Sequence, residues 1–142
     1  MREMFDLNVF VDIAEAREGF YEKSREAFET ALSNGVEVFF PVHGFTTLHY
    51  LLAHAHKSDE SRTHIAWLCD HVSCAPTGIS IIRAACASEV EDFEDAVVDE
   101  TAFSVGCDVI VTRNKKHFIS SKVKAVSPEE FIGMTLPLQH GE

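Results

Sequence analysis

Asn34-Gly35-Val36-Glu37-Val38-Phe39-Phe40-Pro41 is the stretch that decides the fold. Asn34-Gly35 supplies the left-handed stop of a helix. Residues 36–40 are then β-branched or aromatic and bounded by glycine and proline, which predicts a strand. Before this stretch, Phe20, Ser24, Ala27, Phe28, Ala31 and Leu32 recur at helical spacing over 17–34, with Glu and Lys opposite. After it, residues 43–56 read as a helix packing Phe45, Leu48, Leu51, Leu52 and Ala55, and Ser58-Asp59-Glu60 opens another that carries Ile65, Trp67, Leu68 and Val72. Upstream, Met4 to Leu7 reads as a short buried strand ending near Asp6 or Leu7. Downstream come a weaker strand at 72–75, helices over 79–87 and 92–105, a stop at Gly106, and strands at 108–112 and 122–126. Ser127-Pro128-Glu129-Glu130 is a helix start with a capping box. Strands alternating with helices predict βαβ units: an α/β chain, folded as a three-layer α/β/α sandwich with a mostly parallel sheet. Residues 1–133 are expected to form the single domain and 134–142 a loose tail.

Composition narrows the function. The chain has 142 residues and a net charge of −11, with 46% hydrophobic and 25% charged residues. That is the profile of one globular domain and excludes disordered, collagen-like and membrane classes. The longest apolar runs, such as Val38 to Val42, fall far short of the roughly 20 residues a membrane helix needs. Arg2, Glu3 and Asp6 do not fit an export signal, so a cytoplasmic protein is expected. Cys69, Cys74, Cys86 and Cys107 form no C-x-x-C pair and are expected to be small buried hydrophobes. A charge of −11 repels nucleic acid over most of the surface, so any such site must be local. Five of the 12 basic residues, Arg113, Lys115, Lys116, Lys122 and Lys124, fall in one short window and form the one candidate patch.

Ligands of an open parallel sheet bind beyond the carboxyl ends of its strands. Asp6 ends the first strand among apolar neighbours, so a cation or a hydrogen-bond donor must face it. Asp92, Asp95 and Asp99 follow at i, i+3 and i+7, along one stripe of a helix. Two carboxylates roughly 4 Å apart at an effective dielectric of about 20 repel by about 4 kcal/mol, which a divalent ion reverses. Plainer roles exist: Asp92 favours a helix N-terminus, and Asp99 serves as a solvated residue on the outer face. Asp95 is the hardest to explain in that way. Thr112 and Asn114 end the strand at 108–112 and point into the same crevice, or act as a turn cap.

Together these residues resemble the PIN-domain family of metal-dependent nucleases, which includes toxins of toxin–antitoxin pairs. Phe5-Asp6-Leu7-Asn8-Val9-Phe10-Val11-Asp12 is similar to the family's opening signature, and Asp92-Phe93-Glu94-Asp95-Ala96 to its central one. Gly106 to Phe118 is similar to its late signature and Val126 to Phe131 to its closing segment. The resemblance implies an endoribonuclease that hydrolyses RNA phosphodiesters with Mg²⁺ or Mn²⁺, and Asp6 and Asp95 match two of the family's acids. Two other acids are replaced, by Thr47 and Asn114. The implied metal ligands are Asp6 and Asp95, with Asp99 or Asp92 as a substitute. Asp6, Asp95, Asn114 and Thr112 form the implied catalytic set, and Asn8, Thr47, Arg113, Lys115 and Lys116 the substrate contacts. It also implies RNA as substrate, a possible antitoxin protein, a homodimer and no membrane. With two acids missing, the alternative is a PIN-like scaffold that binds RNA or a protein without cutting.

Other chemistries have less support in the residues. A phosphoryl-receiving regulator needs an acceptor aspartate ending the third strand, where Val72-Ser73-Cys74-Ala75-Pro76 has none. His43, His49, His54 and His56 raise zinc, but without an H-E-x-x-H pattern they read as surface histidines. No nucleophile elbow, phosphate loop or dinucleotide fingerprint is present.

Overall fold

A computed structural model describes residues 1–55 and 58–140. Five parallel strands, β1 (Arg2–Phe5), β2 (Glu37–Pro41), β3 (Ser73–Ala75), β4 (Val109–Val111) and β5 (Lys124–Val126), form one sheet in the order β3-β2-β1-β4-β5. The helices are α1 (Leu7–Ala14), α2 (Tyr21–Ser33), α3 (Val42–Ala55), α4 (Ser58–Cys69), α5 (Ile79–Cys86), α6 (Phe93–Ser104) and α7 (Pro128–His140).

The pleat sends Phe5, Val38, Phe40, Val109, Val111 and Val126 to one face, against Phe10, Phe28, Leu48, Leu52 and Phe131. Met4, Phe39, Ala75 and Ile110 go to the other, against Val98 and Ala102 of α6 and against Phe118 and Val123. The result is the expected three-layer α/β/α sandwich. Phe5 is fully buried, with ring centroids of Phe10, Phe28 and Phe131 at 5.9, 5.9 and 5.7 Å. Phe40 leans on the first turn of α3 so closely that a Cβ at Gly44 would lie 2.6 Å from its ring.

The chain builds outward from β1 through β2 to β3, then crosses back to lay β4 on the other side of β1. This reversal is the switch point at which open α/β sheets leave a crevice. Asp6 follows β1 and Thr112 follows β4, so the two sit side by side at its mouth.

Gly35 and Gly106 take the left-handed backbone that ends their helices, with φ of 67° and 73°. The capping box is formed: Ser127 N–H donates to Glu130 Oε1 at 3.0 Å and Glu130 N–H to Ser127 Oγ at 3.1 Å. Several expectations are corrected. Residues 7–14 are a helix, α1, and α2 starts at Tyr21 because residues 17–20 form a turn. Cys107 is buried, but Cys69, Cys74 and Cys86 are exposed, and all four are free. Helix α7 runs on to His140, through residues expected to form a tail. No helix among the described residues is long and apolar enough to cross a membrane.

Candidate active site

Asp6 caps the N-terminus of α1. Its Oδ1 accepts the Leu7 N–H at 2.8 Å, and its Oδ2 accepts the Thr112 hydroxyl at 2.8 Å and the Asn8 amide at 3.2 Å. The residue is only 8% exposed. Burial pushes its pKa up, against the Thr112 and Leu7 hydrogen bonds, which favour the charged form. Thr112 is fully buried and its hydroxyl also accepts the Asn114 N–H at 3.1 Å. Asn8 closes the frame: its amide reaches Thr112 Oγ1 at 3.4 Å and its oxygen accepts the Arg113 N–H at 3.3 Å. Asn8 thus binds the ends of β1 and β4 together.

Asp95 enters from the first turn of α6, where Asp92 is the N-cap and accepts the Asp95 N–H at 3.0 Å. Burial, and next the charge of Asp6, push the Asp95 carboxyl up to about 6. The two acids therefore border one region beyond the strand ends, the carboxylate hollow, where the charge of Asp6 makes that of Asp95 unfavourable. His117 Nδ1 lies 3.5 Å from Asp95 Oδ2. His43, just past the end of β2, places Nε2 3.8 Å from Glu94 Oε1, and both groups act on the charge of Asp6.

Asp99 does not join them. It is 1% exposed, not solvated, and its two oxygens accept the N–H groups of Lys122 and Val123 at 2.9 Å each. One turn along α6 from Asp95, it anchors the turn into β5. Asn114 opens the 3-10 turn Lys115–Phe118, and its side chain makes no capping bond there.

The basic window is largely committed elsewhere. Arg113 Nε binds the fully buried Asp12 at 2.5 Å, and its guanidinium lies 4.1 Å from the Phe20 ring centroid. Lys115 pairs with Glu130 at 2.7 Å and Lys122 with Glu100 at 2.8 Å. Arg113 and Lys115, expected as substrate contacts, thus each pair with an acid of the scaffold. Lys116 lines a cavity of about 710 Å³ with Asp92 and His117, beside Asp95. Thr47 lines a second cavity, of about 490 Å³, with His43, Phe93 and Glu94. His54 bonds the Tyr50 carbonyl at 3.1 Å, and His56 lies outside the described residues. Sequence reasoning missed Glu94, His117 and the separate part played by His43. The position of His43 at a strand's carboxyl end was the available clue.

Among the described residues no three His, Cys, Asp or Glu side chains are grouped closely enough to hold a metal ion by themselves. Two carboxylates raised by burial, the second also by the charge of the first, nevertheless make a donor set that a cation would relieve. Magnesium commonly takes one or two protein carboxylates and keeps several waters.

The PIN-domain family model matches residues 2–116. No curated protein matches the sequence. Among solved structures, a toxin–antitoxin complex from Klebsiella pneumoniae is similar with a TM-score of 0.70 at 18% identity, covering 89% of this chain and 97% of that one. DNA-bound VapBC from Salmonella typhimurium is similar with a TM-score of 0.66 at 19% identity, covering 90% and 98%. VapBC2 from Rickettsia felis, bound to a DNA fragment from their promoter, is similar with a TM-score of 0.68 at 13% identity, covering 89% and 98%. At these identities the likeness is one of fold.

Proposed function

The chain belongs to the PIN-domain family, and on that premise we propose that it is a Mg²⁺- or Mn²⁺-dependent endoribonuclease of the toxin type, acting in the cytoplasm on RNA phosphodiesters. One observation carries the reading: burial raises both Asp6 and Asp95, which are 89 residues apart in sequence, and the charge of Asp6 adds to the rise at Asp95. These two would hold the ion, with the Asn114 amide oxygen available beside them. When bound, the ion lowers the pKa of a water and offsets charge on the phosphoryl group. Thr112 and Asn8 fix the Asp6 carboxylate, and His117 orients Asp95. Lys116 is the basic residue left beside the hollow for a flanking phosphate.

A protein antitoxin is the proposed partner, since the similar solved structures include toxin–antitoxin complexes. An apolar groove of about 330 Å³ between α1 and α4, lined by Phe10, Leu52, Trp67 and Leu68, supports such docking. A homodimer is part of the same proposal. Cleavage of a mixed RNA panel with Mg²⁺, Mn²⁺ or chelator, beside Asp6→Asn and Asp95→Asn, tests the enzyme. Metal-dependent cutting lost in both variants is the expected result, and equal cutting by all three proteins rejects it. A second reading, RNA or protein binding without cleavage, is favoured by Thr47 and Asn114 standing where the family has acids. It gains if the wild type binds RNA under every metal and never cuts.

A further inference from the structure

Beside Asp6 and Asp95, the N-terminal parts of α3 and α6, with Thr77 and Ile82, line the open cavity of about 490 Å³ that no catalytic step above uses. Its volume falls in the roughly 300–1,000 Å³ range of small-ligand sites. Its walls are divided by chemistry. Val42, Ile82, Val97 and the ring of Phe93 are apolar, and Phe93 is 51% exposed although it opens a helix whose other apolar residues are mostly buried. The polar rim is His43, Thr47, Thr77 and Glu94. Thr77 is held in place by Thr101, with the hydroxyl oxygens 3.3 Å apart. Glu94 and His43 form the shared edge, 3.8 Å apart, between this cavity and the carboxylate hollow.

An apolar cavity with an exposed aromatic ring in its wall and a carboxylate at its rim offers what an unstacked nucleobase requires: an aromatic face to stack on and a group that reads its edge. An ionised carboxylate only accepts hydrogen bonds. Among the four RNA bases, guanine alone presents two adjacent donors, N1–H and the N2 amino group, on its Watson–Crick edge. Adenine and cytosine set a donor beside an acceptor, and uracil flanks its one donor with two acceptors. We propose that this cavity binds a guanine base flanking the scissile phosphodiester, with Phe93 as the stacking platform and Glu94 as the specificity-determining acceptor. The inference rests on the ribonuclease reading for the word scissile, but the binding itself does not.

The test separates the two. RNA pentamers with each of the four bases at the central position are titrated by fluorescence anisotropy against full-length Asp6→Asn protein in chelator. The same RNAs are scored for cleavage by the wild type with Mg²⁺. The guanine pentamer is expected to bind about tenfold more tightly than the others, the scale of one bidentate contact. Adding Glu94→Gln removes that preference, and adding Phe93→Ala weakens binding of all four. Ile82→Trp, which fills the slot from the opposite wall, gives the same loss and serves if either other variant fails to fold. Equal binding of all four bases, no binding at millimolar RNA, or a guanine preference that survives both Glu94→Gln and Ile82→Trp overturns the proposal. If guanine-selective binding depends on these residues while the wild type cuts nothing, the pocket stands and the nuclease reading falls. If the wild type cuts without any base preference, the pocket falls and the nuclease reading stands.

Discussion

Glu3 is a carboxylate in the wrong place for stability. It sits on β1, fully buried, and neither oxygen has a full hydrogen-bond partner among the described residues. Burial, and then the charge of Asp108, push it from an ordinary 4.5 up to about 8. Between those two values the folded chain holds a proton that the unfolded chain has released, so the folded state loses stability as pH rises through that window. At about 1.4 kcal/mol per pH unit the shift is worth at most roughly 4 to 5 kcal/mol, a large share of a small domain's total. Glu3→Gln keeps the shape and removes the ionisation. Urea unfolding at pH 5 should therefore give similar stabilities for the two proteins, because both present a neutral buried group. At pH 8.5 the variant should be more stable by several kcal/mol, with an unchanged m value. Parallel pH curves for wild type and variant would refute the argument, since they would mean that Glu3 reaches water or a partner in the folded state.

Three further substitutions probe the frame around the site. Thr112→Val removes the hydroxyl that serves both Asp6 and the Asn114 N–H, and should cost about 1 to 3 kcal/mol by chemical denaturation; in the proposed enzyme it should also abolish most cleavage. Gly44→Ala sets a methyl 2.6 Å from the Phe40 ring, so thermal melting should show a loss of about 1 to 3 kcal/mol unless the first turn of α3 shifts. Asp99→Asn loses one of the two acceptors that hold the turn into β5. It should lower stability by about 1 to 3 kcal/mol while leaving the metal concentration needed for half-maximal cleavage unchanged; a large shift in that concentration would return Asp99 to the metal set.

What the sequence makes legible is local. β2, the glycine stops and the capping box at Ser127 each depend on neighbours within a few residues, and they are found where the sequence puts them. Helix α1 hides because Val9, Phe10, Val11 and Asp12 are all buried, which erases the polar face that marks a helix. Its one helical mark, the Asp6 cap, reads equally well as the end of a strand. The basic window misleads for the opposite reason. Its acids, Asp12, Glu100 and Glu130, come from α1, α6 and α7, and only folding brings them to Arg113, Lys122 and Lys115. Glu94, His43 and His117 escape notice likewise, because their shared address exists only once β4 lies beside β1.

Two buried acids of α1 and its cap show how this fold distributes charge. Asp12 receives an arginine, with Phe20 covering the guanidinium and Ser24 donating at 3.0 Å, so its charge is offset inside the protein. Asp6, six residues earlier and nearly as buried, receives only neutral donors from Leu7, Asn8 and Thr112. Neutral hydrogen bonds orient a carboxylate without cancelling its charge, and Asp95 adds a second charge to the same hollow. Burying Asp6 on neutral donors near a second acid is costly to the fold, and in the proposed enzyme a cation would offset that cost, so the proposal places its phosphate chemistry at the carboxylates rather than at the basic run.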